Sequence, residues 1–211
     1  MERITIAMAK GRTANDAITL LENADILFSG FNEKSRKLIF VDDERQVNLI
    51  FVKAVDVPTY VENGAADIGV VGKDVMLESP KDVYELVDLG IGKCKMSVAG
   101  FSGTEICRAS QLTVASKYPN VTQSFFDEKG IRTKIIKLNG SIELAPLIGM
   151  ADVIVDIVET GTTLKENGLV ILEDITDISA RLIVNKASYA IKTERIQQFV
   201  ENVKRGLGVC T

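Results

Sequence analysis

Short apolar runs alternate with helix-spaced apolar positions along the whole chain, and that alternation fixes the class of fold. Residues 4–9 read as a strand. After them Ala17, Leu20, Leu21 and Ala24 recur at the spacing of one helix face, with Thr13 expected as the N-cap. Residues 38–41 and 47–52 read as two strands around the polar turn Asp42-Asp43-Glu44-Arg45. Asp56-Val57-Pro58 opens a short helix that Gly64 should stop; residues 67–71 form the next strand, and Gly72-Lys73-Asp74 follows it. Residues 86–91 and 96–101 read as further strands. A second cycle begins at 112–115, with a helix over 120–128 closed by Gly130 and a strand over 134–138. A helix start at Gly140-Ser141-Ile142-Glu143, with Ser141 as N-cap, and a strand over 153–158 complete it. Residues 169–172 and 181–184 are later strands. Thr193 should cap a last helix whose apolar face is Ile196, Phe199, Val200 and Val203. Strands alternating with helices specify an α/β fold with largely parallel sheets.

At 211 residues the chain can form one large domain or two small ones. It has no Pro- or Ser-rich linker, so two lobes would be joined by short crossovers. A hinge is expected at Gly90-Ile91-Gly92 and a return near Asn185-Lys186. That divides the chain into a discontinuous first lobe, residues 1–90 plus 186–211, and a second lobe, 91–185.

A net charge of −4 argues against general nucleic-acid or membrane-surface binding, which needs a basic face. No apolar run reaches the ~18–20 residues of a membrane span. The first residues read as a strand and not as a signal peptide. The three cysteines, Cys94, Cys107 and Cys210, form no CxxC pair and suit reduced thiols in the cytoplasm. Histidine is absent. The commonest general base and the commonest metal ligand are therefore missing, and no protein-held metal site is expected. Any catalysis must rest on carboxylates, Lys, Arg, hydroxyls and backbone dipoles, or on metal brought in with the substrate.

Functional chemistry concentrates in Val153-Ile154-Val155-Asp156-Ile157-Val158-Glu159-Thr160-Gly161-Thr162-Thr163-Leu164. An apolar strand carries one acid and then breaks into a turn rich in hydroxyls. Thr160, Gly161, Thr162 and Thr163 can direct hydroxyls and backbone N–H groups at one phosphate, or the threonines can cap the helix that follows. Local chemistry leaves both readings open. A lone carboxylate is costly inside an apolar strand, which favours Asp156 as a cleft residue; Glu159 has a solvated alternative. Lys10-Gly11-Arg12 directly follows the first strand, where α/β folds bind ligands, and is either a polyphosphate site or a solvated turn. Gly69 and Gly72 either line a site or permit close backbone packing.

Taken together, these segments resemble the ATP phosphoribosyltransferases. The resemblance runs through Ala9-Lys10-Gly11-Arg12, Asp56-Val57-Pro58-Thr59-Tyr60-Val61-Glu62, Gly64-Ala65-Ala66-Asp67-Ile68-Gly69, Gly72-Lys73-Asp74 and Lys117-Tyr118-Pro119. It continues through Leu138-Asn139-Gly140-Ser141-Ile142-Glu143-Leu144-Ala145-Pro146, the turn at Thr160, and Leu182-Ile183-Val184-Asn185. It implies a two-lobed fold like type II periplasmic binding proteins with the site in the interlobe cleft. The implied reaction is attack of the ATP adenine N1 on C1 of phosphoribosyl pyrophosphate, releasing pyrophosphate, the first step of histidine biosynthesis. Thr160 to Thr163 would hold the 5′-phosphate, with Asp156 and Glu159 near the ribose. Lys10, Arg12 and Lys53 would face polyphosphate. Asp67, Gly69, Gly72 and Asp74 would line the nucleotide side, and Ser141 and Glu143 would contact substrate. Mg²⁺ would arrive mainly on substrate phosphates. Lys53 and Thr113 depart from the family, many of whose members carry Arg there. The length resembles the short form, which lacks a C-terminal regulatory domain. The resemblance thus implies a homodimer of this chain and a hetero-octamer with a regulatory subunit resembling histidyl-tRNA synthetase. The competing expectation is a non-catalytic two-lobed anion- or nucleotide-binding module.

Overall fold

A computed structural model describes residues 2–23, 26–28, 31, 35–106 and 111–208; Ala24, Cys107 and Cys210 lie outside the described residues. The chain forms two compact units, Met1–Met76 with Pro80–Gly92 and Ser179–Thr211, and Leu77–Ser79 with Lys93–Ile178. No described helix is long and apolar enough to cross a membrane.

In chain order the first unit contains β1 (Ile4–Met8), α1 (Arg12–Asn23), β2 (Ile39–Asp42), β3 (Val47–Phe51), α2 (Val57–Glu62) and β4 (Ile68–Gly72). It continues with α3 (Lys73–Glu78), whose last turn groups with the second unit, and β5 (Val83–Asp88). The second unit runs through β6 (Cys94–Gly100), β7 (Leu112–Ser116), α4 (Pro119–Glu128), β8 (Thr133–Lys137), α5 (Leu144–Leu147), β9 (Val153–Val158), α6 (Thr162–Glu166) and β10 (Val170–Ile178). The chain then returns to the first unit as β11 (Ala180–Asn185), α7 (Lys186–Ile191) and α8 (Thr193–Gly206).

The first sheet has the order β2-β3-β1-β4-β11-β5 and the second β10-β6-β9-β7-β8. β3, β1 and β4 are mutually parallel in the first; β8, β7 and β9 are parallel in the second. The return falls after residue 178, earlier than the expected 185, because residues 180–185 pair antiparallel with β4 and β5 in the first sheet. β11 is buried through Leu182, Ile183 and Val184, all at 0% exposure, so its apolar run belongs in that core.

Three expected caps are displaced. Thr13 lies inside α1, whose first amides bond to the carbonyl of Gly11 instead. Ser141 is not an N-cap: it holds φ 48° in the turn before α5, whose N-cap is Glu143. Thr193 is the first residue of α8, and its hydroxyl donates to the carbonyls of Tyr189 and Ala190 in α7. At Thr193 the hydroxyl has a competing backbone partner in the preceding helix.

Gly69 is buried in the middle of β4. A Cβ there would stand 2.8 Å from Val61 Cγ2 and 2.9 Å from Val57 Cγ1, both on α2. Glycine lets α2 lie directly on the strand, which is the packing reading of this position. Gly69→Ala should destabilise the protein by roughly 1–3 kcal/mol, because the β-branched neighbours have little rotamer freedom to retreat. An unchanged denaturant midpoint would contradict this.

Candidate active site

In each unit the candidate residues collect where parallel strands end, the edge at which open α/β sheets bind ligands. In the first unit Met8 of β1 is in register with Phe51 of β3 and Val70 of β4. Lys10 and Lys53 each lie two residues beyond the ends of β1 and β3, and Gly72 is the last residue of β4. Lys53 is exposed, with extended backbone and no side-chain cap bond. Lys10 donates to the Ser35 carbonyl, and its ammonium stands 5.5 Å from the Phe51 ring centroid. Arg12 is the exposed first residue of α1, whose first turn contains no acid. A cation at the positive end of a helix is unfavourable by itself and favourable beside a bound anion. A Cβ on Gly72 would fall 2.1 Å from Asp74 Oδ1, so the Asp74 carboxylate folds over the strand end. Lys73 turns away and pairs with Glu85 at 2.7 Å.

Asp67 does not join this group. It precedes β4 and so lies at the opposite end of the strand from Gly72. It is 6% exposed, accepts from Thr5 N–H at 2.9 Å, and takes Lys192 Nζ at 2.9 and 3.1 Å. Lys192 also donates to the Arg3 carbonyl. Asp67 is therefore a buried staple joining β1, β4 and the junction of α7 with α8. That corrects its expected place on the nucleotide side.

In the second unit, a cavity of about 240 Å³ is lined by Glu143, Asp156, Glu159 and the Thr160–Thr163 turn. Gly161 sits at φ 72° as the N-cap of α6, a left-handed conformation in which other residues are strained. The sharp turn it allows brings Thr160 Oγ1 within 3.0 Å of Thr162 Oγ1. Thr160 Oγ1 is only a long 3.4 Å acceptor for Thr162 N–H, and no side chain caps α6. The capping reading is thus weakly realised, and the turn offers hydroxyls and amides together. Asp156 lies within β9, half-buried, and accepts from Ile157 N–H at 2.8 Å. Ser141 is exposed, and its left-handed backbone steers the chain so that Glu143 enters the cavity wall.

The sequence reading missed a polar group on the same sheet. Lys95 Nζ pairs with Asp174 Oδ2 at 2.6 Å, and Ser97 Oγ donates to Asp174 Oδ1 at 2.8 Å. The signal was available: Lys95 and Ser97 interrupt the apolar run of β6 at alternate positions. The hydrogen bond from Lys95, then that from Ser97, hold the Asp174 carboxyl below its ordinary range; the bond to Asp174 raises the Lys95 ammonium. A carboxyl depressed on folding contributes stability above its unfolded pKa, lost as pH falls through the folded value. Asp174→Asn should therefore narrow its stability gap from the parent below about pH 4. The raised ammonium gives the opposite limb: its contribution is complete below the unfolded lysine value and lost at higher, strongly alkaline pH. Acid unfolding curves for parent and variant that stay parallel to the lowest pH would contradict the first expectation.

The family model described as HisG: ATP phosphoribosyltransferase matches residues 53–205. An ATP phosphoribosyltransferase from Oceanobacillus iheyensis is 52% identical over 208 residues, covering 99% of this chain and 100% of the relative. The chain belongs to the ATP phosphoribosyltransferase family. Members of that family are transferases. A solved structure entitled ATP phosphoribosyl transferase (HisG:HisZ) complex, from Thermotoga maritima, superposes with a TM-score of 0.85 at 36% identity, covering 97% of this chain and 98% of that one. The periplasmic aliphatic sulphonate binding protein SsuA from Escherichia coli superposes with a TM-score of 0.61 at 12% identity, over 99% of this chain and 74% of that one. The second likeness carries the fold alone, a two-lobed α/β architecture of the periplasmic-binding-protein kind. It gives no support to a non-catalytic binding module over the transferase family.

Proposed function

We propose that this chain transfers the phosphoribosyl group of phosphoribosyl pyrophosphate to N1 of ATP, the first step of histidine biosynthesis. The observation that carries the residue assignments is the Gly161 turn, where three threonine hydroxyls and the start of α6 border one cavity with Asp156 and Glu159. We assign the 5′-phosphate to Thr160, Gly161, Thr162 and Thr163, and the ribose hydroxyls to Asp156 and Glu159. Lys10, Arg12 and Lys53 supply charge for polyphosphate, and Gly72 and Asp74 shape the nucleotide side. Ser141 acts through its backbone, setting Glu143 against the substrate.

Adenine N1 attacks with a lone pair and has no proton to lose, so a site without histidine or another strong base suffices. The new N1–C1 bond forms as the C1–O bond to pyrophosphate breaks, with the electron pair leaving on oxygen. Positive charge grows on the ribose during the exchange, and the carboxylates of Asp156 and Glu159 favour it. The cations at the β1 and β3 ends favour the departing pyrophosphate. Oxygen ligands are the type Mg²⁺ prefers, but among the described residues no acid, cysteine or histidine cluster could hold a metal ion by itself. Mg²⁺ would enter on substrate phosphates and neutralise part of their charge.

The Thermotoga maritima complex pairs its HisG chain with HisZ. A separate regulatory subunit of that kind, resembling histidyl-tRNA synthetase, is the partner we assign to this chain, in a hetero-octamer built on a dimer of this chain. The setting is the cytoplasm, where ATP is available. The deciding experiment combines the chain with ATP, phosphoribosyl pyrophosphate and Mg²⁺, with and without that partner, and follows product absorbance. No turnover with the partner present, or turnover that does not require ATP, would overturn the reading.

A further inference from the structure

Across the second sheet, Asp156 of β9 stands opposite Ser97 of β6, and Ser97 stands opposite Asp174 of β10. Opposed residues of antiparallel strands project from one face. The three therefore form a row, on the face where Ile154 and Asp156 line the cavity at the threonine turn. Ser97 is fully buried at the centre of the row, with the buried Ala99 two residues on along the same face of β6. A buried hydroxyl between two carboxylates is an expensive choice where an alanine would pack, unless its proton is used.

That proton is committed. Ser97 Oγ donates to Asp174 at 2.8 Å, and a serine has one proton to give. Asp174 is held in place by Lys95 at 2.6 Å, and this pair is partly exposed, at 53% and 41% of its side-chain surfaces. We propose that Asp174 and Ser97 are positioning residues for phosphoribosyl transfer: Asp174 draws the Ser97 proton away from Asp156, which keeps the Asp156 carboxylate an acceptor for sugar hydroxyls. The inference rests on the assignment of Asp156 to the ribose. Without Asp174 the Ser97 hydroxyl is free to rotate and donate to Asp156. It then competes with the substrate for the same oxygen, and ground-state binding weakens with little change in the chemical step.

The test is steady-state kinetics on the chain with its regulatory subunit, ATP and Mg²⁺, varying phosphoribosyl pyrophosphate. Asp174→Ala, which removes the acceptor of the Ser97 proton, should raise KM for phosphoribosyl pyrophosphate about tenfold while kcat stays within about twofold. Adding Ser97→Ala removes the competing proton, so the double variant should recover most of that KM. A purely structural role for the row predicts the opposite, a double variant worse than either single one. Asp174→Leu also removes the acceptor and carries the same expectation, should the alanine variant fail to fold. Asp156→Asn is measured alongside. If it transfers phosphoribosyl groups like the parent, the ribose assignment falls and this inference with it. If it is impaired while Asp174→Ala keeps the parental KM, or the double variant recovers nothing, the positioning role is overturned and the ribose assignment stands.

Discussion

An Asp156→Asn chain should fold like its parent and lose about two orders of magnitude in kcat/KM for phosphoribosyl transfer. The carboxylate is half-buried, and its recorded bond to Ile157 N–H can be kept by the amide oxygen of asparagine. What disappears is one negative charge beside a sugar that becomes cationic, together with charge-assisted bonds each worth roughly 1.5–3 kcal/mol. Thr160→Val tests the turn from its other side. Valine preserves the shape and removes an oxygen that stands 3.0 Å from the Thr162 hydroxyl. A loss of about tenfold to a hundredfold is expected for it, concentrated in the use of phosphoribosyl pyrophosphate. Parental turnover in both variants, measured with the regulatory subunit present, would overturn the assignment of the turn.

The largest effect on stability is expected at Asp67. Removing its carboxylate in Asp67→Ala leaves the Lys192 ammonium without its buried counter-charge and the Thr5 amide without its acceptor. Breaking a buried pair from one side costs about 3–5 kcal/mol, which should appear as a large fall in the denaturant midpoint. Asp67→Asn keeps an acceptor for Thr5 and should lose less. Kinetic constants of the protein that remains folded should be close to parental, since Asp67 lies at the strand end away from Lys10 and Lys53. A variant with an unchanged midpoint and impaired ATP use would return Asp67 to the nucleotide site.

Asp67 also shows where the sequence stops being informative. The strand over 67–71 was plain from its apolar run, and so was the loop after it. Nothing in the local pattern said which strand end faces the ligand, because that depends on parallel pairing with β1. Asp67 and Asp74 look alike as acids flanking a strand and do opposite work. Most strands were legible because buried β-branched runs have few alternatives; β5 lies three residues ahead of its expected place, and β10 runs six residues past its expected end. The helix caps were less so: α1 begins a residue before Thr13, Ser141 takes a left-handed turn ahead of α5, and the Thr193 hydroxyl bonds back into α7. α7 escaped notice because none of its residues is buried, leaving no apolar stripe to read. The Thr160–Thr163 turn was visible as chemistry from the start, with cap and phosphate cradle undecided. The left-handed Gly161 and the long 3.4 Å reach from Thr162 N–H to Thr160 Oγ1 speak against a cap, and neither could be read from residue names. Lys95, Ser97 and Asp174 show the same limit across strands, since Asp174 meets Ser97 only through the register of β10 on β6.

The position of β11 between β4 and β5 has a consequence for biosynthesis of the chain. On the ribosome, residues 93–178 emerge as one nearly continuous stretch and can complete their sheet while synthesis is still under way. The earlier unit cannot, because the strand that joins β4 to β5 has not yet been made. Two strand edges in that half must wait through the translation of the whole intervening domain. The part of the protein encoded second is therefore expected to fold first, and the waiting edges of β4 and β5 are where a nascent chain is most open to mispairing or chaperone capture.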